Sequence, residues 1–197
     1  MEPDLQRIDL KVFADAPPDL NLDPFLAIFG RWRHDAENPA QWVDLADYAH
    51  MLDGPGVIIV GKQGNFGVNL YRPGPGLLYV GKKDYQGPND NRILEAFRRH
   101  LALATAVLAE PDYPPELKVQ SGSWELAIND RLNFPNHAET DQLLRPAVES
   151  ALNGLFGASG YTLAREQDAQ RRFGYTIRAQ AAPELSELLE KAAGAVA

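Results

Sequence analysis

The sequence predicts an α+β fold with a mainly antiparallel sheet covered by helices. Strand and helix patterns are interspersed without the strict alternation of a parallel α/β sheet. Within residues 42–83, four short strand candidates are separated by turns rich in glycine, proline and asparagine, a spacing typical of an antiparallel meander. Hydrophobic residues make up 45% of the 197 residues, enough for one compact domain over residues 1–197. A proline-rich break also leaves open two sheet-and-helix halves, 1–110 and 115–197.

The first half begins with a strand over residues 6–14, where Ile8, Leu10 and Val12 alternate with polar side chains. Asp23 and Pro24 then suit a helix start. The strands of the meander are short apolar or alternating runs, predicted at residues 42–49, 57–62, 66–71 and 77–82. A long helix over residues 91–109 follows, on which we expect His100, beside Arg98 and Arg99, to lie on a solvated basic face.

The second half of the chain again combines strand candidates with helix candidates. Residues 117–120 and 124–129 read as a hairpin turning at Ser121-Gly122-Ser123. A helix over residues 140–156 contains Pro146, which predicts a kink or a later start, and Gly157 suits its end. A second hairpin and a leucine-rich helix complete the chain, at residues 161–166, 173–180 and 183–196.

Composition excludes several classes of partner and site. The net charge is −8 and the isoelectric point about 5.0, so we expect neither nucleic acid nor anionic membrane as a partner. Without cysteine there is no disulfide, thiolate catalysis or cysteine metal site. No segment approaches the roughly 20 apolar residues of a membrane span. The expectation is a soluble protein of the cytoplasm.

Nine residues occur almost twice, as GPGVIIVGK at 54–62 and GPGLLYVGK at 74–82. Both copies satisfy GxxxxGK, but a phosphate-binding loop also needs a flexible loop, a following Ser or Thr and a helix. The middle residues here are strand formers, and Gln63 and Lys83 follow the lysines. We therefore predict two buried strands that run parallel on either side of residues 66–71, and no cofactor.

The closing lysines of the two copies offer a separate hypothesis. If the copies are parallel strands of one meander, Lys62 and Lys82 lie near one edge and could hold an anion. The alternative is that both lysines are only solvated.

The strand before the first copy carries the candidate catalytic residues. Asp44, Tyr48 and His50 share one face of this strand, and Asp53 follows in the turn. A carboxylate, a phenol and an imidazole could together do general acid–base work. Asp47, His50 and Asp53 could alternatively offer three metal ligands, although no metal site is predicted. The alternative is that these residues belong to a half-exposed edge strand and have no catalytic or metal-binding role.

Two further polar segments lie in the second half. A dense polar turn over residues 129–136 follows a predicted strand and could shape a loop or line a pocket. Four arginines cluster around the last hairpin, partly balanced by Glu166 and Asp168, which favours a salt-bridged surface; they are Arg165, Arg171, Arg172 and Arg178.

The segments WVDLADYAHMLDGPGVIIVG at 42–61 and AINDRLNFPN at 127–136 resemble a group of uncharacterised bacterial proteins of about 200 residues with no assigned function. The resemblance spans most of the chain and implies no ligand or catalytic residue. The leading hypothesis is a non-enzymatic protein that acts through binding or self-association as a homo-oligomer, using the leucine-rich last helix or exposed strand edges. The alternative is a hydrolase- or isomerase-type enzyme using Asp44, Tyr48, His50 and Asp53.

Overall fold

A computed structural model describes residues 3–35, 41–51, 54–70 and 73–196. Its strands, numbered in chain order, are β1 Ile8–Asp15, β2 Trp42–Tyr48, β3 Gly56–Gly61, β4 Gly64–Asn69, β5 Gly76–Gly81, β6 Lys118–Ile128, β7 Tyr161–Arg165 and β8 Gly174–Ala179. Its helices are α1 Asp23–His34, α2 Asn89–Leu108, α3 Ala138–Phe156 and α4 Leu185–Val196.

The eight strands form one sheet in the order β2-β3-β4-β5-β1-β6-β8-β7, and every neighbouring pair is antiparallel. This confirms the predicted α+β class and the meander. The two copies of the repeat, β3 and β5, flank β4 and therefore run parallel to each other, as predicted. The N-terminal strand β1 lies between β5 and β6, so strands from both halves of the chain join in one sheet.

The helices cover one face of this sheet. Phe29 of α1 and His100 of α2 both contact the ring of Phe66 on β4, at centroid distances of 5.9 and 6.0 Å. Helices α3 and α4 pack against α2, and residues of all four helices belong to one hydrophobic core. The sheet contributes alternate side chains to this core, among them Leu10 and Trp124, both fully buried. The opposite face of the sheet, called here the open face, carries the other set of side chains.

The predicted hairpin at Ser121-Gly122-Ser123 is wrong. Strand β6 runs without a turn over eleven residues and pairs with β1 on one side and β8 on the other. The pairing of β6 with β1 shifts register between Val12 and Ala14. The small residues Ser121, Gly122 and Ser123 accommodate this irregularity opposite β1. Local composition cannot distinguish such a site from a turn because both favour glycine and serine.

Helix α3 begins at Ala138 and runs through Pro146, so the later start is wrong. Arg145 pairs with Asp141 at 3.0 Å and Glu149 at 3.4 Å, linking the turns on both sides of the proline. Gly157 ends the helix as predicted, with a φ of +80° that favours glycine.

The solvated basic face predicted for His100 is also wrong. The imidazole is fully buried against Phe66, Tyr79 and Trp124. Burial lowers the pKa of His100 to about 3, with the backbone of Leu77 opposing this only in part. His100 is therefore a neutral core residue at physiological pH.

The leucines of the last helix are part of the core. Leu185, Leu188 and Ala192 of α4 are buried within the chain, so these side chains are not available for a contact with a second copy. Among the residues described, no helix combines the length and apolar character needed to cross a membrane.

Candidate functional site

The centre of the open face is polar although it is buried. Alternation along β1 directs Asp9 and Lys11 to this face, and each is only 3% exposed. Asp9 lies between Val80 of β5 and Ala127 of β6, and Lys11 lies opposite Glu125 of β6. Charged residues are almost never buried to this degree without partners, so both side chains are expected to contact polar or charged groups.

Asp9 is held by an arginine from the loop before β8. Its Oδ2 accepts a hydrogen bond from Nη1 of Arg172, whereas its buried Oδ1 has no hydrogen-bond partner within the described part of the chain. Burial raises the pKa of Asp9 to about 6, although the charge and hydrogen bond of Arg172 oppose this. Asp9 therefore carries a carboxylate that is less stable in its charged form than an exposed one.

Lys11 is tied to the turn between β4 and β5. Its Nζ donates to Oδ1 of Asn69 at 2.8 Å and to the carbonyl of Gly74. Asn69 in turn donates from Nδ2 to the carbonyl of Gly54 at 2.8 Å. Burial lowers the pKa of Lys11 to about 8, while the nearby Glu125 raises it. These contacts give Lys11 a structural role in fixing the turn.

Cations gather at one end of the open face because of the strand topology. Strands β3 and β5 both end there, followed by Lys62 and Lys82, and the antiparallel β1 begins there, preceded by Arg7. The backbone N–H of Asn129, after β6, donates to the carbonyl of Arg7 at 2.8 Å. These residues surround a groove of about 550 Å³, called here the basic groove, lined by Arg7, Lys62, Val80, Gly81, Lys82, Lys83, Asp84 and Asn129.

The cations of the basic groove are only weakly compensated by carboxylates: hydrogen bonds from Asn133 and, as a smaller contribution, the charge of Arg7 lower the pKa of Asp130. Within the described ranges, no ion pair includes Arg7, Lys62, Lys82 or Lys83. Nζ of Lys82 donates to the carbonyl of Gly61 at 2.7 Å, which leaves its positive charge uncompensated. Asp84 is the carboxylate in the lining. The groove therefore concentrates positive charge on a chain whose net charge is −8.

An adjoining pocket shares Asn129 with the basic groove but differs in charge balance. It has a volume of about 340 Å³, and its lining includes Arg131, Arg171 and Arg172 together with Glu125 and Glu166. Arg171 pairs with Glu166 at 2.6 Å and Glu125 at 3.5 Å, and Arg172 pairs with Asp9. Of the four arginines predicted to form a salt-bridged surface, Arg171 and Arg172 do so, whereas Arg165 donates to Oδ1 of Asn136 at 3.0 Å and Arg178 lies over the ring of Phe13. The adjoining pocket therefore has less uncompensated positive charge to attract an anion than the basic groove has.

The candidate catalytic residues lie on the edge strand β2 and in the turn after it. Asp44 has a side chain that is 66% exposed and 4.0 Å from Arg33, and Tyr48 and His50 are exposed. Within the described residues, no hydrogen bond joins Asp44, Tyr48 and His50 to one another. Asp53 lies outside the described residues. Catalysis by these residues stays a prediction, and the described geometry adds no enclosed pocket around them.

Metal ligation has no cluster to support it in the part of the chain that is described. No group of three histidine or carboxylate side chains there is placed to hold a metal ion. Of the three ligands considered in the sequence, Asp47 and His50 are described and Asp53 is not.

Sequence reasoning identified Lys62 and Lys82 but missed Arg7, Lys83 and the buried pair Asp9 and Lys11. The missed signal was the pattern Asp-x-Lys on the open side of the first predicted strand. An Asp-x-Lys pattern is ordinary on a solvated edge strand and unusual on a central one. Only the pairing of β1 with both β5 and β6 makes it unusual here.

No family model, curated protein or solved structure matches this chain. The resemblance to a group of bacterial proteins accordingly stays a prediction. Functional inference rests on the geometry of the open face.

Proposed function

We propose that this protein binds a small, multiply charged anion of the phosphate class in the basic groove. The observation that carries the proposal is the convergence of Arg7, Lys62, Lys82 and Lys83 around one groove, where Asp84 is the single lining carboxylate among the residues that the structure describes. Strands β3 and β5 are separated by one strand, so their ends lie about 10 Å apart. Two long lysine side chains at that spacing can reach one bound phosphate group together.

Electrostatics favours an anion at this place. Lysine acts as a compact, strongly hydrated point charge and is a common phosphate ligand, while arginine adds planar donors. Clustered cations on an acidic chain create a local positive potential that raises the local concentration of anions. Because the groove is open to solvent, its affinity is expected to fall with ionic strength.

The lining supports binding rather than catalysis. Lysine, arginine and asparagine supply positive charge and hydrogen-bond donors, but among the described residues no serine, histidine or paired carboxylate lines the groove. A non-enzymatic role in the cytoplasm is therefore part of the proposal, and the complete lack of cysteine in the sequence is compatible with it.

The test is calorimetric titration of the protein with inorganic pyrophosphate at low salt, alongside thermal unfolding. We expect saturable binding, and at a ligand concentration of 100 Kd a stabilisation of about 2.7 kcal/mol. In a protein of this size that corresponds to a rise in Tm of roughly 5 to 10 °C. The double variant Lys62→Gln/Lys83→Gln changes two exposed side chains and should weaken binding at least about tenfold, or 1.4 kcal/mol.

A matched control is Lys118→Gln, which removes an exposed lysine at the opposite end of β6. It should bind pyrophosphate as the unmodified protein does. Equal weakening in both variants would mean that only net charge matters. No saturable heat at low salt would refute the proposal.

A second candidate function, self-association with another copy of the chain, is favoured by exposed apolar side chains at the edge strand β2. Val43 is 53% exposed, Tyr48 39% and Met51 46%. Exposed apolar groups beside an unpaired strand edge are suited to a contact between two copies. Light scattering should give a dimer mass that falls to the monomer mass in Val43→Lys, and a monomer mass for the unmodified protein excludes this function.

A further inference from the structure

The pocket that adjoins the basic groove lies where it can extend the groove. The two cavities share Asn129. Asp9 of β1 has Val80 of β5 as its neighbour on one side and Ala127 of β6 on the other. Val80 lines the groove and Ala127 lines the pocket, and one strand separates them, so they lie about 10 Å apart. One small molecule can therefore contact both cavities.

The sheet supplies accessible polar groups to this pocket. Glu125 of β6 and Thr176 of β8 are directly opposite each other, and both are half-buried. Oε1 of Glu125 lies 3.5 Å from Arg171, whereas Oε2 accepts no hydrogen bond from the residues described. The hydroxyl of Thr176 also has no hydrogen-bond partner in the described part of the chain, and neither oxygen is buried. Both oxygens are therefore free to contact a ligand.

Arg172 adds hydrogen-bond donors to the same pocket. Its Nη1 donates to the buried Oδ2 of Asp9, and the rest of its side chain, 39% exposed, makes no other hydrogen bond within the described residues. A guanidinium carries five N–H donors, so several remain for a ligand. The bond to Asp9 fixes the side chain before binding, which reduces the conformational entropy lost when a ligand binds.

This combination of groups suits a polyhydroxylated molecule. A sugar hydroxyl both donates and accepts hydrogen bonds. The carboxylate of Glu125 accepts, the guanidinium of Arg172 donates, and the side chains of Thr176 and Asn129 can do either. Because the ion pairs of Arg171 compensate the charges of this pocket, a neutral polar group fits it better than a second anionic group. Its volume of about 340 Å³ lies in the range typical of ligand pockets.

A nucleobase fits the pocket less well than a sugar does. Bases are usually held by stacking on an aromatic ring. The aromatic residue in the lining is Tyr175, which is only 1% exposed, and its hydroxyl donates to Oδ1 of Asp141 at 2.5 Å. Among the described residues, neither cavity therefore offers an exposed aromatic ring on which a base could stack.

We propose that the basic groove and the adjoining pocket together bind a phosphorylated sugar. The phosphate group binds the cations of the groove, and the sugar hydroxyls bind Glu125, Thr176 and Arg172. Asn129, which lines both cavities, lies between the two parts of the ligand. This inference rests on the proposed function, because the phosphate group is held at the anion site of the basic groove.

The test compares phosphate monoesters of equal charge. The unmodified protein is titrated calorimetrically at low salt with ribose 5-phosphate, glucose 6-phosphate and ethyl phosphate. At least one sugar phosphate should bind at least about tenfold more tightly than ethyl phosphate. Equal affinity for all three esters overturns the inference, and the proposed function still stands if pyrophosphate binds. If pyrophosphate does not bind either, both the inference and the proposed function are refuted.

Two variants locate the sugar. Thr176→Val keeps the side-chain shape and removes the hydroxyl, so the affinity for the sugar phosphate should fall about fivefold while that for ethyl phosphate is retained. Glu125→Gln removes a negative charge, so electrostatics alone would strengthen the binding of any anion. We expect instead that the preference for the sugar phosphate over ethyl phosphate falls at least about fivefold, because the charge-assisted hydrogen bond is lost.

The matched control is Thr162→Val, which changes an exposed threonine of β7 outside both linings. It should keep the full preference for the sugar phosphate. An unchanged preference in Thr176→Val or in Glu125→Gln, or an equal loss in Thr162→Val, overturns the inference.

Discussion

Over residues 8–12, strand β1 is buried on both of its faces, but the chemistry of those faces is opposite. Towards the helices, Ile8, Leu10 and Val12 are 0% exposed, and towards the open face Asp9 and Lys11 are 3% exposed. The apolar face removes hydrocarbon from water, which contributes about 1.5–3 kcal/mol for each large side chain. The polar face removes charge from water, which opposes folding.

The size of that opposing effect follows from the two pKa values. The pKa of Asp9 rises from 3.8 to about 6, and that of Lys11 falls from 10.5 to about 8. At pH 7 both groups are charged, and each then costs roughly 3 kcal/mol relative to the unfolded chain. The open face therefore lowers stability where the helix face raises it. Such a combination is typical of functional surfaces, in agreement with the binding groove proposed beside Asp9.

The largest expected effect comes from truncating an apolar side chain on the helix-facing side of β1. Leu10→Ala leaves a cavity under α2, and we expect a loss of about 2–5 kcal/mol in the free energy of unfolding. Lys11→Met, one residue away, keeps the side-chain length. Removing the buried charge offsets the loss of the hydrogen bonds to Asn69 and Gly74, so the net loss should be below about 1.5 kcal/mol, or stability should rise. Urea unfolding at pH 7 measures both. Equal losses would show that the two faces contribute alike.

The pH dependence of stability sharpens the comparison for Asp9. Because its pKa is raised in the folded protein, the folded state binds the proton more tightly, and the stability contributed below pH 4 is lost as the pH rises towards 6. Asp9→Asn lacks this loss. The variant should gain on the unmodified protein between pH 4 and pH 7, by up to roughly 3 kcal/mol.

Urea unfolding of both proteins at pH 4, 5, 6 and 7 measures this difference. Asp15→Asn serves as the control, because Asp15 is exposed at the end of the same strand. A stability difference between Asp9→Asn and the unmodified protein that stays constant over this range would contradict the raised pKa.

The smallest expected effect concerns the glycines of the second repeat. A Cβ at Gly81 would overlap the hydroxyl of Tyr85 and lie 2.6 Å from the carbonyl of Ile8, whereas one at Gly74 would lie 3.6 Å from the ring of Phe13. We expect Gly81→Ala to lose about 1–3 kcal/mol and Gly74→Ala to change stability by about 0.5 kcal/mol or less. Thermal unfolding of the two variants tests the contrast, and a similar Tm for both would argue against tight packing at the repeat.

Most of the fold could be predicted from the sequence, because the residue patterns that indicate its strands and turns are local. Turn residues separate the strands of the meander, and the middle residues of each repeat are strand formers. The failures have a different origin. Ser121-Gly122-Ser123 carries turn composition but lies within β6, and His100 sits beside two arginines but faces the sheet. In both cases contacts between distant segments override the local pattern.

The candidate sites could be predicted less completely from the sequence, because contacts between distant segments form them. Lys62 and Lys82 could be paired from the repeat alone, because their strands belong to one local meander. Arg7 and Asn129 join them only through the pairing of β1 with β5 and β6, which are distant in sequence.

The sequence by itself determined the class of fold, the parallel placement of the two GPG segments and the exclusion of a phosphate loop there. These follow from side-chain periodicity and turn chemistry, which act over a few residues. Only the tertiary structure decided that β1 is central and that Asp9 and Lys11 are buried. It also decided that cations gather at one end of the sheet. Burial and charge balance depend on which distant strands become neighbours, and that pairing is fixed only when the whole core is assembled.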